Sequence, residues 1–200
     1  MEPYEPKFEN PYPDAGWTQI SHFEYETPLH LYRTIEAVQR RGGEDADYIV
    51  WRDYTVRFKL DNEDEYRNIT VPRGMLTDLA SVPRVARSVV GRVGPHLEAS
   101  IVHDFLYIAW QDLEERGPRD EDREFADKLM RVAMEKAGVS GWKRFLVYNA
   151  VRLFGSGVYR RKDEPRYVKI PSEEKEEEAE AIAPLTVEAE AIDINTDPQS

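Results

Sequence analysis

A histidine and an aspartate stand side by side inside an otherwise apolar segment, SIVHDFLYIAW, at residues 100–110. A carboxylate next to an imidazole can orient the ring and raise its basicity, and both groups can bind a metal ion. His103 and Asp104 are therefore the first candidates for chemistry. The ordinary alternative is a buried histidine bonded to a carbonyl group and an aspartate paired with an arginine.

Two more aspartates are candidates because of where they lie in the pattern. Asp78 lies in PRGMLTDLASVPR, residues 72–84, where a predicted strand has ended and a loop begins, and such loops often carry functional groups. Asp127 lies at the border of the apolar face of a predicted helix. If this helix packs antiparallel to the helix of His103, the two side chains face each other. The structural alternatives are a turn in which Asp78 binds N–H groups and a salt bridge of Asp127.

These side chains predict a site with or without a metal ion. Asp78, His103 and Asp127 offer the oxygen and imidazole ligands that suit a divalent ion such as Mn²⁺, Mg²⁺ or Zn²⁺. Such an ion lowers the pKa of a bound water and provides hydroxide at neutral pH, with Asp104 as base or further ligand. Without a metal, His103 and Asp104 form the catalytic pair. Both hypotheses require the side chains to converge in space, which spacing alone does not establish.

The first elements that position these residues are predicted strands. YTVRFKL at 54–60 alternates apolar and polar residues, which predicts a strand with one buried face. The polar turn DNEDE follows, and residues 66–71 are predicted to return as the antiparallel partner. An earlier strand is predicted within 29–38.

Three helices are predicted after Pro72. The first covers residues 96–113 and places His103 and Asp104 on one narrow polar stripe of a mostly apolar surface. The second begins with Asp120 as its cap and ends at Gly138. The third is capped by Ser140 and ends at Gly155. The apolar residues on which the third helix is predicted to be built are Trp142, Phe145, Leu146, Ala150, Leu153 and Phe154.

The expected architecture is one α+β domain with appendages, because 200 residues with 40% apolar content suffice for a single core. The domain, residues 21–160, has a small antiparallel β-sheet followed by a three-helix cluster. An extended arm rich in proline and aromatic residues, 1–20, precedes it. A basic linker at 161–171 leads to an acidic tail at 172–200, whose composition predicts disorder in isolation.

Composition and charge exclude several classes of protein. The chain has no cysteine, which excludes a thiolate nucleophile, a disulfide and a zinc site of the cysteine type. No apolar run is long enough for a membrane span, and the first residues do not resemble a secretory signal. Of the net charge of −12, residues 172–200 carry −9 and the first 171 residues carry −3. The stretch 142–169 is basic, but binding to nucleic acid is not favoured, because basic helix faces are more often solvated surface.

The motifs GMLTDLASVPR, VHDFLY and REFAD resemble the family known as domain of unknown function 1353, over residues 28–155. Members are typically encoded by tailed phages and prophages, so the resemblance implies a phage origin and an α+β fold. It implies no particular reaction. Met75 replaces the aromatic residue that is more usual after the glycine. The matching positions are Gly74, Thr77, Asp78, Ala80, Ser81, Pro83, His103, Asp104, Leu106, Tyr107 and Asp127.

Two functions remain open from the sequence. The first is a metal-dependent hydrolase acting on a cell-envelope or phosphate-ester bond through the four polar residues. The second is a virion or assembly protein, made in the host cytoplasm, whose arm and tail bind other phage proteins. In that case the polar cluster only stabilises the core.

Overall fold

The strands form two three-stranded antiparallel sheets in the computed structural model, which describes residues 5–33, 48–77, 94–162 and 166–170. In the first sheet, β4 lies between β1 and β5; in the second, β3 lies between β2 and β6. The strand bounds are β1 Ile20–Tyr25, β2 Leu31–Tyr32, β3 Tyr48–Val50, β4 Tyr54–Leu60, β5 Arg67–Val71 and β6 Leu76–Thr77.

Strand β4 follows the predicted alternation. Its Tyr54, Val56, Phe58 and Leu60 are buried, and the residues between them are partly exposed. Both neighbours of β4 in the sheet are antiparallel to it. The predicted strand at 54–60 and its return at 66–71 are therefore confirmed. The strand predicted within 29–38 corresponds to the two residues of β2, while residues 34–38 lie outside the described residues.

Among the described residues, three α-helices follow the strands, as predicted: α1 Leu97–Ile108, α2 Asp120–Lys136 and α3 Gly141–Tyr159. The cap of α2 is Arg119 rather than Asp120, which is the first helical residue. Gly138 follows α2 with φ +78°, a backbone conformation that glycine adopts without strain. The prediction that α3 ends at Gly155 is wrong. This glycine is buried inside the helix against Tyr107, and tertiary packing overrides its weak helix propensity.

The end of α1 is determined by a tyrosine from the N-terminal segment. The Tyr12 hydroxyl donates to the Leu106 carbonyl (2.5 Å) and accepts from the Trp110 N–H (3.1 Å). In a continuous α-helix this carbonyl and this N–H, four residues apart, would bond directly. The hydroxyl therefore replaces one helical hydrogen bond, and the chain continues as a short 3₁₀ helix, Ala109–Asp112.

Residues 5–19, which belong to the predicted arm, have aromatic rings that pack on the helices of the same chain. The Phe8 ring lies 5.1 Å from that of Phe105, and the Trp17 ring lies 5.5 Å from that of Phe125, both edge to face. Tyr12 is completely buried. These three rings therefore contribute to the domain's own core.

The first sheet covers the helices and closes the core. The rings of Phe58 and Phe125 lie 5.3 Å apart, and the Tyr25 hydroxyl donates to the Ala133 carbonyl at 2.9 Å. This compact unit extends to Ile170. The predicted acidic tail and residues 163–165 of the predicted linker lie outside the described residues. Within the described ranges, none of the helices has the length and apolar character needed to span a membrane.

Helix α3 is oriented differently from the prediction. It packs on the domain through small and medium residues and one tyrosine: Val147, Ala150, Val151, Gly155 and Tyr159. Four residues that were predicted to form its buried side are exposed: Trp142, Phe145, Leu153 and Phe154. Small side chains let helices approach closely, so the larger side chains of α3 point away from the core. The prediction of a buried role for these four residues is wrong.

Candidate functional site

The candidate site is centred on Asp127, which lies near the middle of α2 with its side chain fully buried. Its neighbours along the helix include Phe125, Ala126, Leu129 and Met130, all buried. A carboxylate among apolar side chains is costly unless its oxygens are paired. The partners of Asp127 therefore decide what this residue does.

The first oxygen of Asp127 is bound by two residues of α1. His103 Nε2 lies 2.9 Å from Oδ1, and the Tyr107 hydroxyl donates to the same oxygen at 2.7 Å. His103 and Tyr107 are four residues apart and therefore share one helix face. Their rings stack with centroids 4.0 Å apart. The predicted approach of Asp127 to His103 is thus present in the structure.

The second oxygen of Asp127 faces two arginines. Arg123, one turn earlier on α2, places Nη1 at 3.4 Å from Oδ2, and Arg152 of α3 places Nη1 at 3.3 Å. The same Arg123 nitrogen lies 3.4 Å from the Arg152 carbonyl oxygen. Asp127 therefore links all three helices, and two cations offset the desolvation of one buried anion.

Tyr107 remains a hydrogen-bond donor in this cluster. Burial raises the pKa of its hydroxyl well above the usual value, and the negative charge of Asp127 raises it further. The raised pKa keeps the hydroxyl protonated at neutral pH. Its role is to donate to the carboxylate.

The two ring nitrogens of His103 have different surroundings. An ionised carboxylate only accepts hydrogen bonds, so the proton of a neutral His103 ring belongs on Nε2, which leaves Nδ1 as an acceptor. Nδ1 is buried and has no hydrogen-bond partner among the described residues.

Asp104 contacts a different part of the domain from its neighbour His103. Its Oδ2 accepts a hydrogen bond from the Thr77 hydroxyl of β6 at 2.6 Å, and its side chain is partly exposed. Adjacent helical residues point about 100° apart, which explains the divergence. The carboxylate that binds the His103 ring is Asp127, so the predicted catalytic pair of His103 and Asp104 is divided between two contacts.

The comparisons with known proteins concern this same part of the chain. Residues 54–151 match the model of a family described as protein of unknown function (DUF1353). Residues 54–151 therefore form a DUF1353 domain. The matched segment of the DUF1353 domain contains His103, Tyr107, Arg123 and Asp127, and it ends one residue before Arg152. No curated protein matches the chain, and no solved structure matches it.

The predicted metal ligands of the DUF1353 domain are only partly described. Asp78 lies outside the described residues, and His103 and Asp127 bond each other directly. Across the described ranges, no group of three or more histidine, aspartate or glutamate side chains is placed to hold a metal ion. Thr77, which precedes Asp78 in the sequence, donates a hydrogen bond to Asp104.

Three members of the cluster were absent from the predicted site: Tyr107, Arg123 and Arg152. Two of them had a signal in the sequence, since Tyr107 follows His103 by four residues and Arg123 precedes Asp127 by four. Arg152 had none, because its contact depends on how α3 packs against α2. The structural alternative for Asp127 was a salt bridge, and its observed partners agree with that alternative.

Proposed function

We propose that this DUF1353 domain works by docking onto a partner surface, as an assembly protein, and that the Asp127 cluster stabilises its core. The observation that carries the proposal is that both oxygens of Asp127 are already occupied by side chains of the same domain. A metal ion at Asp127 would have to displace at least one of them. The cost of removing a partner from a buried charge opposes that exchange.

The docking surface is the outward side of α3. Five large apolar side chains of this helix are exposed, and exposed apolar patches are typical of interaction sites. We assign docking to this helix rather than to the N-terminal arm, because Phe8, Tyr12 and Trp17 are used inside the domain. The five exposed residues, called the α3 face below, are Trp142, Phe145, Leu153, Phe154 and Val158.

The motif resemblance supports a phage or prophage origin as part of the proposal. The protein is then made in the host cytoplasm and acts during particle assembly, or remains in the virion. Mass spectrometry of purified particles tests the virion role, for which we expect stoichiometric copies. Complete absence from particles and from assembly intermediates would contradict an assembly role.

Metal titration tests the structural role of the cluster. We expect calorimetry with Mn²⁺, Mg²⁺ and Zn²⁺ to show no stoichiometric binding, and we expect His103→Ala to lower the free energy of unfolding. Asp78→Ala is the companion variant, because Asp78 was the third predicted ligand. One tightly bound ion per chain that is lost in both variants would overturn the structural assignment.

A hydrolase-like site is the second candidate, and the acceptor nitrogen of His103 favours it. With its Nε2 proton held by Asp127, the ring could use Nδ1 as a general base or as a ligand for a divalent ion. Asp104 and Asp78 would supply the further carboxylates. The test is hydrolysis of phosphodiester and cell-envelope substrates with Mn²⁺, Mg²⁺ or Zn²⁺. Activity that is lost in His103→Gln while the fold is retained would favour this candidate over docking.

A further inference from the structure

The N-terminal segment, residues 5–19, and the C-terminal segment, residues 166–170, are both attached to the short 3₁₀ helix after α1. From the N-terminal segment, the Tyr12 hydroxyl accepts a hydrogen bond from the N–H of Trp110, the second residue of the 3₁₀ helix. From the C-terminal segment, the Arg166 guanidinium binds both carboxylate oxygens of Asp112, the last residue of this helix. The two segments therefore meet at one short element from opposite ends of the chain.

The C-terminal segment pairs with the backbone of residues 74–76. The Leu76 N–H donates to the Arg166 carbonyl, and the Val168 N–H donates to the Gly74 carbonyl, both at 2.9 Å. The side chain of Tyr167, between them, is buried. A short stretch of strand pairing is weak by itself. The attachment of this segment therefore depends also on its side-chain contacts, which include the ion pair with the 3₁₀ helix.

The Tyr12 hydroxyl favours the 3₁₀ form of residues 109–112. It stands between the Leu106 carbonyl and the Trp110 N–H, which would bond each other if α1 continued. Without the hydroxyl, these two groups regain each other as partners, and α1 can extend through Asp112. The Trp110 indole N–H donates to the Tyr159 carbonyl and supports the 3₁₀ form, so the hydroxyl shifts a balance between two forms.

The two helical forms place Asp112 differently. A 3₁₀ helix advances by about 120° and about 2.0 Å per residue, whereas an α-helix advances by about 100° and about 1.5 Å. Over the four residues Ala109–Asp112, the change turns the last residue by about 80° and draws it back by about 2 Å. A displacement of this size separates the Asp112 carboxylate from the Arg166 guanidinium.

We propose that the 3₁₀ helix is a junction that couples the attachment of the N-terminal segment to the attachment of the C-terminal segment. Displacement of Tyr12 favours the continuous form of α1, which withdraws Asp112 and loosens residues 166–170. Release of Arg166 loosens the Tyr12 contact in return, because thermodynamic coupling is reciprocal. A partner that captures the N-terminal segment thereby loosens the C-terminal edge of the domain. This coupling does not depend on what the α3 face binds, so the two proposals are tested separately.

Amide hydrogen exchange of the full chain, followed by NMR, tests the coupling from the N-terminal side. Tyr12→Phe removes the hydroxyl and keeps the ring. We expect the protection of the Leu76 and Val168 amides to fall by about 3–10-fold, the equivalent of one hydrogen bond. Tyr25→Phe is the matched control, because the Tyr25 hydroxyl also donates to a helix carbonyl, that of Ala133 in α2. The control should leave both amides unchanged.

The same experiment tests the coupling from the C-terminal side. Arg166→Gln removes the ion pair with Asp112. We expect the protection of the Trp110 amide, which donates to the Tyr12 hydroxyl, to fall by about 3–10-fold. Arg67→Gln is the matched control, because Arg67 pairs with Glu63 away from the 3₁₀ helix, and it should leave this amide unchanged.

The double variant Tyr12→Phe with Arg166→Gln distinguishes a coupled junction from two separate contacts. We expect the protection of the Val168 amide to fall by less than the product of the two single falls, because either change already favours the continuous helix. Three outcomes would overturn the coupling: falls that multiply in the double variant, Leu76 and Val168 amides that do not respond to Tyr12→Phe, or equal responses to Tyr12→Phe and Tyr25→Phe.

Discussion

Arg152 and Leu153 are neighbours on α3, yet their side chains meet opposite surroundings. Arg152 reaches inward to the buried carboxylate of Asp127, whereas Leu153 is 74% exposed. Helix α3 therefore directs a charged side chain toward the core and apolar side chains toward the outside. The partner of a side chain, and not its polarity alone, therefore decides its position. A buried charge requires partners within the fold, while an exposed apolar row is free to serve a partner outside it.

We expect the largest effect on the free energy of unfolding from a change at the buried carboxylate. Asp127→Asn removes the anion that binds Arg123, Arg152, His103 and Tyr107. We expect it to lower the free energy of unfolding by about 3–5 kcal/mol, because breaking a buried ion pair leaves uncompensated charge. Urea unfolding followed by circular dichroism measures the change.

Asp120→Asn is the matched control on the same helix. Asp120 pairs with Arg160, but its side chain is 64% exposed, so solvent screens the pair. We expect a loss of at most about 1 kcal/mol. Equal losses for Asp120→Asn and Asp127→Asn would show that the buried cluster has no special structural role.

The next effect concerns the contact between Tyr107 and α3. A Cβ at Gly155 would lie 2.5 Å from the Tyr107 hydroxyl, which is already bound to Asp127. We expect Gly155→Ala to lower the free energy of unfolding by about 1–2 kcal/mol, despite the better helix propensity of alanine. In a Tyr107→Phe background the same change should cost less, since the clashing oxygen is gone. A thermodynamic cycle with no coupling would contradict this contact.

Gly157 is the corresponding glycine on the exposed side of the same helix. No atom lies near a Cβ built there, and the residue is exposed. We expect Gly157→Ala to raise the free energy of unfolding by about 0.5–1 kcal/mol through helix propensity alone. A loss of stability would show that this side of α3 is constrained by the fold.

The smallest effect on stability is expected at an exposed carboxylate, in contrast to the buried carboxylate of Asp127. Hydrogen bonds from the side chain and N–H of Thr18 lower the pKa of Asp61 to about 2. Because this value lies below that of an unfolded aspartate, about 3.9, the contribution to stability is present above pH 4 and is lost as the pH falls through 2. Thr18→Val should raise the pKa of Asp61 toward its ordinary value in an NMR titration. An unchanged titration would contradict the assigned hydrogen bonds.

The sequence could predict those features that depend on local pattern. The alternation in β4 and the glycine after α2 each have a direct structural consequence, and both predictions were confirmed. The orientation of α3 could not be predicted, because large apolar residues lie on both sides of that helix. The small residues of α3 pack against the rest of the domain, and most of its large apolar residues remain exposed.

The candidate site shows the same limit. The approach of His103 to Asp127 followed from two helical faces, but the partner of Asp104 depended on where β6 ends. The hydroxyl of Tyr12 enters the α1 hydrogen bonds from 94 residues away, which no local pattern indicates. Contacts of this kind depend on the folded arrangement of distant segments.

The most direct test of the account is the free energy of unfolding of Arg152→Gln measured beside that of Leu153→Gln. We expect a loss of about 1–3 kcal/mol for Arg152→Gln, which removes one partner of the buried carboxylate. We expect a change within about 0.5 kcal/mol for Leu153→Gln, whose side chain is mostly exposed. A stable Arg152→Gln together with a strongly destabilised Leu153→Gln would contradict it.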